Sequence, residues 1–384
     1  MQKHSQLILY IILFSIIIIF AYSYRYFFYD QILWEGDSAD IFVPVKIFLK
    51  NQISQYNIPE WNPFTHGGIE HANFPTNQVF YPFTYIFLWF DIFHQIQLFQ
   101  LFHIVLFGIG MMFFLKEFEL NLFSAGIGTF VFIFSNYYIS ASGFLDIIAT
   151  LTYFPWILIC LFKWIKTFNY KYSITIGMLF GLQFLAGHPQ YFYYTFLACM
   201  IILIIKFKSI FSKKISLVAG NLFAASVIFF VVASPLLLSF FNFVLNTPEF
   251  VFEKNSNLAG LKVLNLFNVI IPDFTGLYNE SLRNLWLPLR KFYISNIMRY
   301  VEYAGILPIF FMFIFFKYSE IQSHIKIIVA VFFIFGLMIT FYSLIFPMTL
   351  IKFIPMFSVL RYYERIFMFS LLALSISSAY VIGL

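Results

Sequence analysis

Charge is scarce in this sequence: Asp, Glu, Lys and Arg make up 10% of its 384 residues, against 61% hydrophobic ones. A chain of this length would ordinarily form two or three soluble domains, and so little charge argues against that arrangement. Cysteine is nearly absent. Cys160 and Cys199 both fall inside apolar runs, where they read as small buried hydrophobes, which excludes a disulfide framework or half of a zinc site. The formal charge of +6 could suggest nucleic acid, but the lysines sit in short loops between apolar runs, where membrane topology accounts for them better.

What the sequence has in abundance is long apolar runs and 58 Phe residues. The aromatic excess reads as lipid-facing filler and carries no functional assignment. Runs near 6–24, 94–115, 121–141, 145–163, 172–186, 189–206, 215–244, 301–317, 324–345 and 362–384 predict about ten transmembrane helices. The fold class expected is therefore an all-α polytopic membrane protein, with residues 1–384 forming one transmembrane domain. Lys3 before the first run and "AYS" at 21–23 mimic a signal peptide, but the run is too long for one and reads as an uncleaved signal anchor.

Lysines recur in every second short loop: Lys116, then Lys163, Lys166 and Lys171, then Lys206, Lys208, Lys213 and Lys214, then Lys317 and Lys326. The turns between, "SGFLD" (142–146) and "AGHPQ" (186–190), have none. The positive-inside rule makes the lysine-bearing loops and the N-terminus cytoplasmic. Three long segments, 25–93, 245–300 and 346–361, are then external. All of the 17 Asp and Glu residues except Glu117, Glu119 and Glu320 fall on that side, so chemistry is expected to face outward. A transporter would place charge near the bilayer midplane, where the polar residues here are mainly His103, Gln183 and Asn221.

The first external segment opens with "WEGDSADIFVPVKIF" (34–48), acidic residues set directly after a span. Ala39, Ile41, Phe42, Val45, Phe48 and Leu49 have helical spacing, with Lys46, Lys50 and Asn51 on the other side, which predicts a helix lying in the membrane interface. Pro44 should restrict its first turns, and Asp37 stands where an N-cap is wanted. Downstream, 57–82 is dense in Pro, Asn, Gly and His and reads as a structured loop, with Trp61, Tyr81 and Trp89 suited to an aromatic belt. His66, Glu70 and His71 match no strong zinc spacing.

The ordered set "GDSAD" (36–40), "IPEWNPFTHGG" (58–68), "NQVFYPF" (77–83), "SGF" (142–144), "LTYFPWIL" (151–158), "AGHPQYFYY" (186–194), "LFNVIIPDFTG" (266–276), "YVEYAGILPI" (300–309) and "FSVLRYYERI" (357–366) resembles the YfhO-type bacterial membrane proteins, over nearly the whole chain. That family is similar to the GT-C glycosyltransferases, which take a sugar from a polyprenyl-phosphate carrier and attach it to an acceptor on the external face. The resemblance implies a multi-pass protein of the bacterial cytoplasmic membrane with an external active site, a polyprenyl-phosphate-linked sugar and a cell-envelope acceptor as partners, and Asp37 as catalytic base. Family members run on through further spans and a soluble external region. A chain ending at Leu384 is thus expected to be a fragment or a short variant.

Such a transfer needs a base for the acceptor hydroxyl and cations for the leaving phosphate. Asp40, three residues after Asp37, could orient the acceptor or share a divalent cation with it, the one cofactor this chemistry would accommodate. Arg25, Lys291, Arg299, Arg361 and Arg365 are the external cations, the last two four residues apart in "RYYER". In "GHPQ", Gly187 and Pro189 serve helix ends, leaving His188 as a candidate for the phosphate. Glu302, Gln190, Trp61, Asn62, His66 and Gln78 are the candidates for sugar contact. Each has a plainer role: N-terminal acids for Asp40, Asp146, Asp273 and Glu302, snorkelling or ion pairing for the arginines. A lipid or polysaccharide transporter and a non-enzymatic envelope assembly factor are the competing functions.

Overall fold

The computed structural model describes residues 2–29, 38–65, 67–211, 215–246, 269–271, 303–340 and 363–384. The chain packs as two compact units, Met1–Glu117 with Ser142–Thr247, and Phe118–Ala141 with Pro248–Leu384. Among the described residues, six helices are long and apolar enough to cross a membrane, and a bent pair makes up to seven. The protein is a multi-pass membrane protein.

The first unit begins with α1 (Gln2–Tyr29). After a π-helical turn, Ser38–Phe42, come α2 (Val43–Ser54), a hairpin pairing Trp61–Asn62 with Ile69–Glu70, a 3-10 turn at Pro75–Asn77 and α3 (Pro82–Phe87). Residues 38–87 are called the cap below. Pro44 stands in the first turn of α2, where its missing N–H is harmless. α4 (Ile92–Lys116) starts where the Asp91 carboxylate accepts the N–H groups of Phe93 and His94 at 3.1 and 3.2 Å. The Asp91 carboxyl is exposed and held below its usual range, chiefly by the His94 N–H.

The bent pair is α5 (Leu122–Ile133) and α6 (Asn136–Ser142), which meet at 67°. The straight span expected over 121–141 is therefore broken. Asn136 donates its N–H to the Tyr303 carbonyl, so its backbone bond leaves the helix at the bend. α7 (Leu145–Thr167), α8 (Tyr170–Leu185), α9 (Pro189–Ile205), α10 (Phe207–Phe211) and α11 (Ile215–Asn246) complete the first unit. α4 packs along α7, and α8 on α7 and α11. α8 and α11 touch closely because Gly177 has no side chain: a Cβ there would lie 2.2 Å from the Ala225 carbonyl oxygen.

Helix ends segregate along α7. Its start faces the cap, while at its far end Lys163 and Lys166 pair with Glu117 at 3.4 and 3.3 Å. The lysines at the ends of α4 and α7 therefore lie away from the cap.

In the second unit, α5 and α6 pack with α12 (Ile306–Lys317), α13 (Ser323–Thr340), a 3-10 turn at Tyr363–Phe367 and α14 (Met368–Gly383). α14 is the buried centre. Its Ser375 donates to the Gly128 carbonyl, Ser370 to Phe333 at 3.1 Å, and Tyr380 to Phe118 at 3.2 Å.

Of the ten windows expected to span, those near 172–186, 189–206 and 301–317 form helices of 16, 17 and 12 residues. At 1.5 Å per residue these reach roughly 18–26 Å, short of a hydrocarbon core of about 30 Å. Gly187, at φ +109°, follows the end of α8, and Gly305, at φ +90°, delays α12.

Candidate functional site

One group of buried polar residues in the first unit gathers where the cap meets the starts of α4 and α7 and the α8–α9 turn. Their centre is Lys46. Expected on the polar side of α2, it is instead buried, with 1% of its surface exposed. Phe42, Lys46 and Leu49 share one helical face, and that face packs inward while Ile41 and Ile47 turn out. The interfacial helix expected from the apolar spacing is thus rotated, its core face carrying a lysine.

The Lys46 ammonium donates to Gln78 Oε1 at 2.9 Å, with the Asn77 carbonyl at 3.4 Å, Thr84 Oγ1 at 3.5 Å, and the Phe99 ring centre 5.7 Å away. Burial pushes its pKa down to about 7, against an opposing pull from the Asp146 carboxylate. Asp146, in the first turn of α7, is itself buried and accepts the Ile147 N–H at 2.9 Å.

Gln78 carries the network onward. Its amide nitrogen donates to the carbonyls of Ala186, at 2.7 Å, and Leu145, at 3.3 Å. The cap is thereby joined to the start of α7 and the end of α8. Gly187, at φ +109°, permits the approach, since a Cβ would stand 2.4 Å from the Pro75 carbonyl oxygen. The next N–H, of His188, donates to Thr150 Oγ1 at 3.1 Å, and its imidazole meets the Tyr191 ring edge-on.

A second chain of bonds runs inward. Tyr81 lies 2.8 Å from His103 Nε2 and 2.9 Å from the Tyr153 hydroxyl. Tyr81 is wholly buried, correcting its assignment to an aromatic belt; burial and Tyr153 hold its pKa well above the usual tyrosine range. Trp61 and Trp89 remain exposed, as a belt requires. His71 is packed edge-on against Phe48, with Asn77 Nδ2 3.3 Å from its Nδ1, and burial with the nearby Lys46 charge lowers its pKa to about 4. Glu70, its neighbour, points outward and binds Asn73. Among the described residues no three His, Cys, Asp or Glu side chains gather as a metal would require.

Of the residues singled out in the sequence, Asp37, His66, Arg299, Glu302 and Arg361, with Lys291 and Asp273, lie outside the described residues, and the side chain of Arg25 likewise. Asp40 is exposed in the turn before α2. Gln78, Asn62 and Gln190 are buried and engaged within the chain: Asn62 accepts the Phe64 N–H at 2.9 Å and donates to Thr65 at 3.2 Å, and Gln190 donates to Tyr194 at 2.8 Å. Trp61 is exposed against Gly68. Arg365 is half-buried in the second unit, its carbonyl accepting the Tyr137 hydroxyl. Lys46, Asn77, Thr84 and Tyr81 are not among the site residues that the sequence suggests. The spacing of Lys46 from Phe42 and Leu49 was the available signal for its burial.

No protein-family model matches the chain, and no curated protein matches it.

Proposed function

We propose that the protein is a GT-C-type glycosyltransferase of the bacterial cytoplasmic membrane, moving a sugar from a polyprenyl-phosphate-linked donor to an external envelope polymer or lipid. The observation that carries this reading is the meeting of separated segments at one end of the first unit. Those around Asp40, Gln78, Leu145 and Ala186 are joined there by Lys46 and Gln78. The same segments carry the resemblance to YfhO-type proteins.

In this reading the N-terminus is cytoplasmic and the cap external, consistent with lysines collecting at the opposite ends of α4 and α7. Asp37 takes the acceptor hydroxyl proton, the oxygen attacks the anomeric carbon with inversion, and the phosphate leaves with the bonding electron pair. Asp40 orients the acceptor or shares a divalent cation with Asp37. Arg25, Arg299, Arg361, Arg365 and His188 are the groups assigned to the departing anion. Trp61, His66 and Glu302 are the contacts proposed for the sugar, while Asn62 and Gln78 shape the cap around it and Gln190, at the start of α9, is held by Tyr194.

The test is transfer of labelled sugar in membranes carrying Asp37→Asn. Loss of transfer by a factor of about 100 or more, with normal protein abundance, supports the assignment. Transfer equal to wild type removes the proposed base. The internal engagement of Asn62, Gln78 and Gln190 favours one competing reading, a non-enzymatic assembly factor, for which wild-type membranes would transfer no sugar above background.

A further inference from the structure

A lysine with 1% of its surface exposed is an expensive choice on a helix whose other inward residues are Phe42, Phe48 and Leu49. An apolar side chain would fill the same space without desolvating an amine. What it would not do is join the cap to itself and to the spans. Lys46 reaches Asn77 and Gln78 across more than thirty residues of sequence, and Gln78 reaches Ala186 across 108.

We infer that Lys46 is a positioning residue: acting through Gln78, it holds the turn that carries Asp40 against the start of α7 and the α8–α9 turn. Its role in transfer rests on the glycosyltransferase reading; its role in holding the cap does not.

The surroundings make the tie sensitive to protons. Facing the amine are Asp146 from α7, His103 from α4 and His71 from the segment after the hairpin, with Gln78, Thr84 and the Phe99 ring completing the site. Lys50, one turn on, looks away and donates to the Phe90 carbonyl at 2.7 Å. An ammonium here has water removed from it. A neutral amine keeps the tie, donating to Gln78 Oε1 and the Asn77 carbonyl while accepting the Thr84 hydroxyl proton. With the folded pKa near 7 and an ordinary lysine value of 10.5, folding releases a proton between those limits. The cap therefore tightens as pH rises from 7 towards 10.5 and is loosest below 7.

Hydrogen exchange on the full chain in lipid nanodiscs, corrected for the intrinsic pH dependence of exchange, reads this directly. Between pH 7 and 9, protection of amides in 44–54 and 78–84 should rise by up to about 100-fold, one proton per molecule giving tenfold per pH unit, with α7 amides as the internal reference. Lys46→Met should flatten the rise. If Lys46→Met does not accumulate, Lys46→Gln, which keeps a donor for Gln78, takes its place with the same expectation. A flat wild-type profile, or an unchanged slope in the variant, overturns the inference.

Sugar transfer supplies the second arm. Lys46→Met should lower kcat with little change in KM for the donor, and should erase the wild-type rise in kcat above pH 7. An unchanged kcat and pH profile in the variant overturns the positioning role. Should wild-type membranes transfer no sugar, the glycosyltransferase reading and the role in transfer fail together, while the exchange profiles still decide whether Lys46 holds the cap.

Discussion

Helix α11 and the cap belong to the same unit and draw on the same aromatic and aliphatic residues, yet they handle polar groups in opposite ways. Along α11, Ser226, Ser234 and Ser239 turn back onto carbonyls of their own helix, at 2.9 to 3.2 Å. Asn221 reaches outward, accepting the Ser173 hydroxyl at 2.6 Å. Only 11% of the α11 window is buried, against 89% of the α7 window on which the cap sits. In the cap, Ser54, Asn62 and Asn73 bond close by in sequence, but Lys46, Gln78 and Tyr81, the buried polar centre, bond across long stretches of it. A helix that satisfies itself can face lipid on most sides. A segment without that internal ladder needs partners from elsewhere, and these partners fix its place.

The sharpest way to break this contrast is at Gln78. Replacing it with Ala removes the acceptor of a buried ammonium and the donor to two buried carbonyls, which should cost at least ~3 kcal/mol. Thermal unfolding of purified protein should register the loss, and exchange should show it concentrated in the cap while α8 and α11 keep their protection. Equal loss of protection in α11 would mean that the two regions are not distinct.

Gly177→Ala strikes the other side. The new methyl would meet the Ala225 backbone at 2.2 Å, and backbone yields less readily than a side chain. The expected cost is ~2 kcal/mol, seen as a lower thermal midpoint with the α8–α11 joint loosened and the cap unaffected.

How legible this was differs between the two regions for the same reason. The runs giving α1, α4, α7 and α11 stand out because a membrane-crossing helix satisfies its backbone internally, and local composition is then the whole signal. Even so, composition missed the bend after Ile133, where Asn136 bonds to Tyr303 far along the chain. Ordered motifs point to Gln78 in the cap and to "AGHPQ" at the α8–α9 turn, but not to their meeting. Lys46 was assigned outward because it is a lysine, and Tyr81 to the interface because it is a tyrosine. Both are inside because carbonyls, hydroxyls and an imidazole supplied by other segments receive them.

Acid sharpens the contrast by another route. His71 is buried with a pKa near 4 against an ordinary 6.5, so the folded cap prefers the neutral imidazole. The stability it contributes is complete above pH 6.5 and is lost as pH falls from there to 4, by an amount on the order of 3 kcal/mol at most. Exchange in 43–54 and 69–84 should accelerate over that window, and His71→Leu should remove the acid dependence. α11 carries no Asp, Glu, His, Lys or Arg and should not respond.

The smallest effect expected is on α11 itself. Phe230 is largely exposed, its ring meeting Phe229 edge-on, and the Ser226 hydroxyl is satisfied within its own turn. Phe230→Leu exchanges one lipid-compatible side chain for another. Ser226→Ala removes a donor together with its need for an acceptor, and the Leu222 carbonyl keeps its helical bond. Both should fall within ~0.5 kcal/mol of wild type by thermal unfolding. If either instead cost as much as a cap substitution, this face of α11 would have to be covered by protein, and burial within a single chain would understate how much of the helix is spoken for.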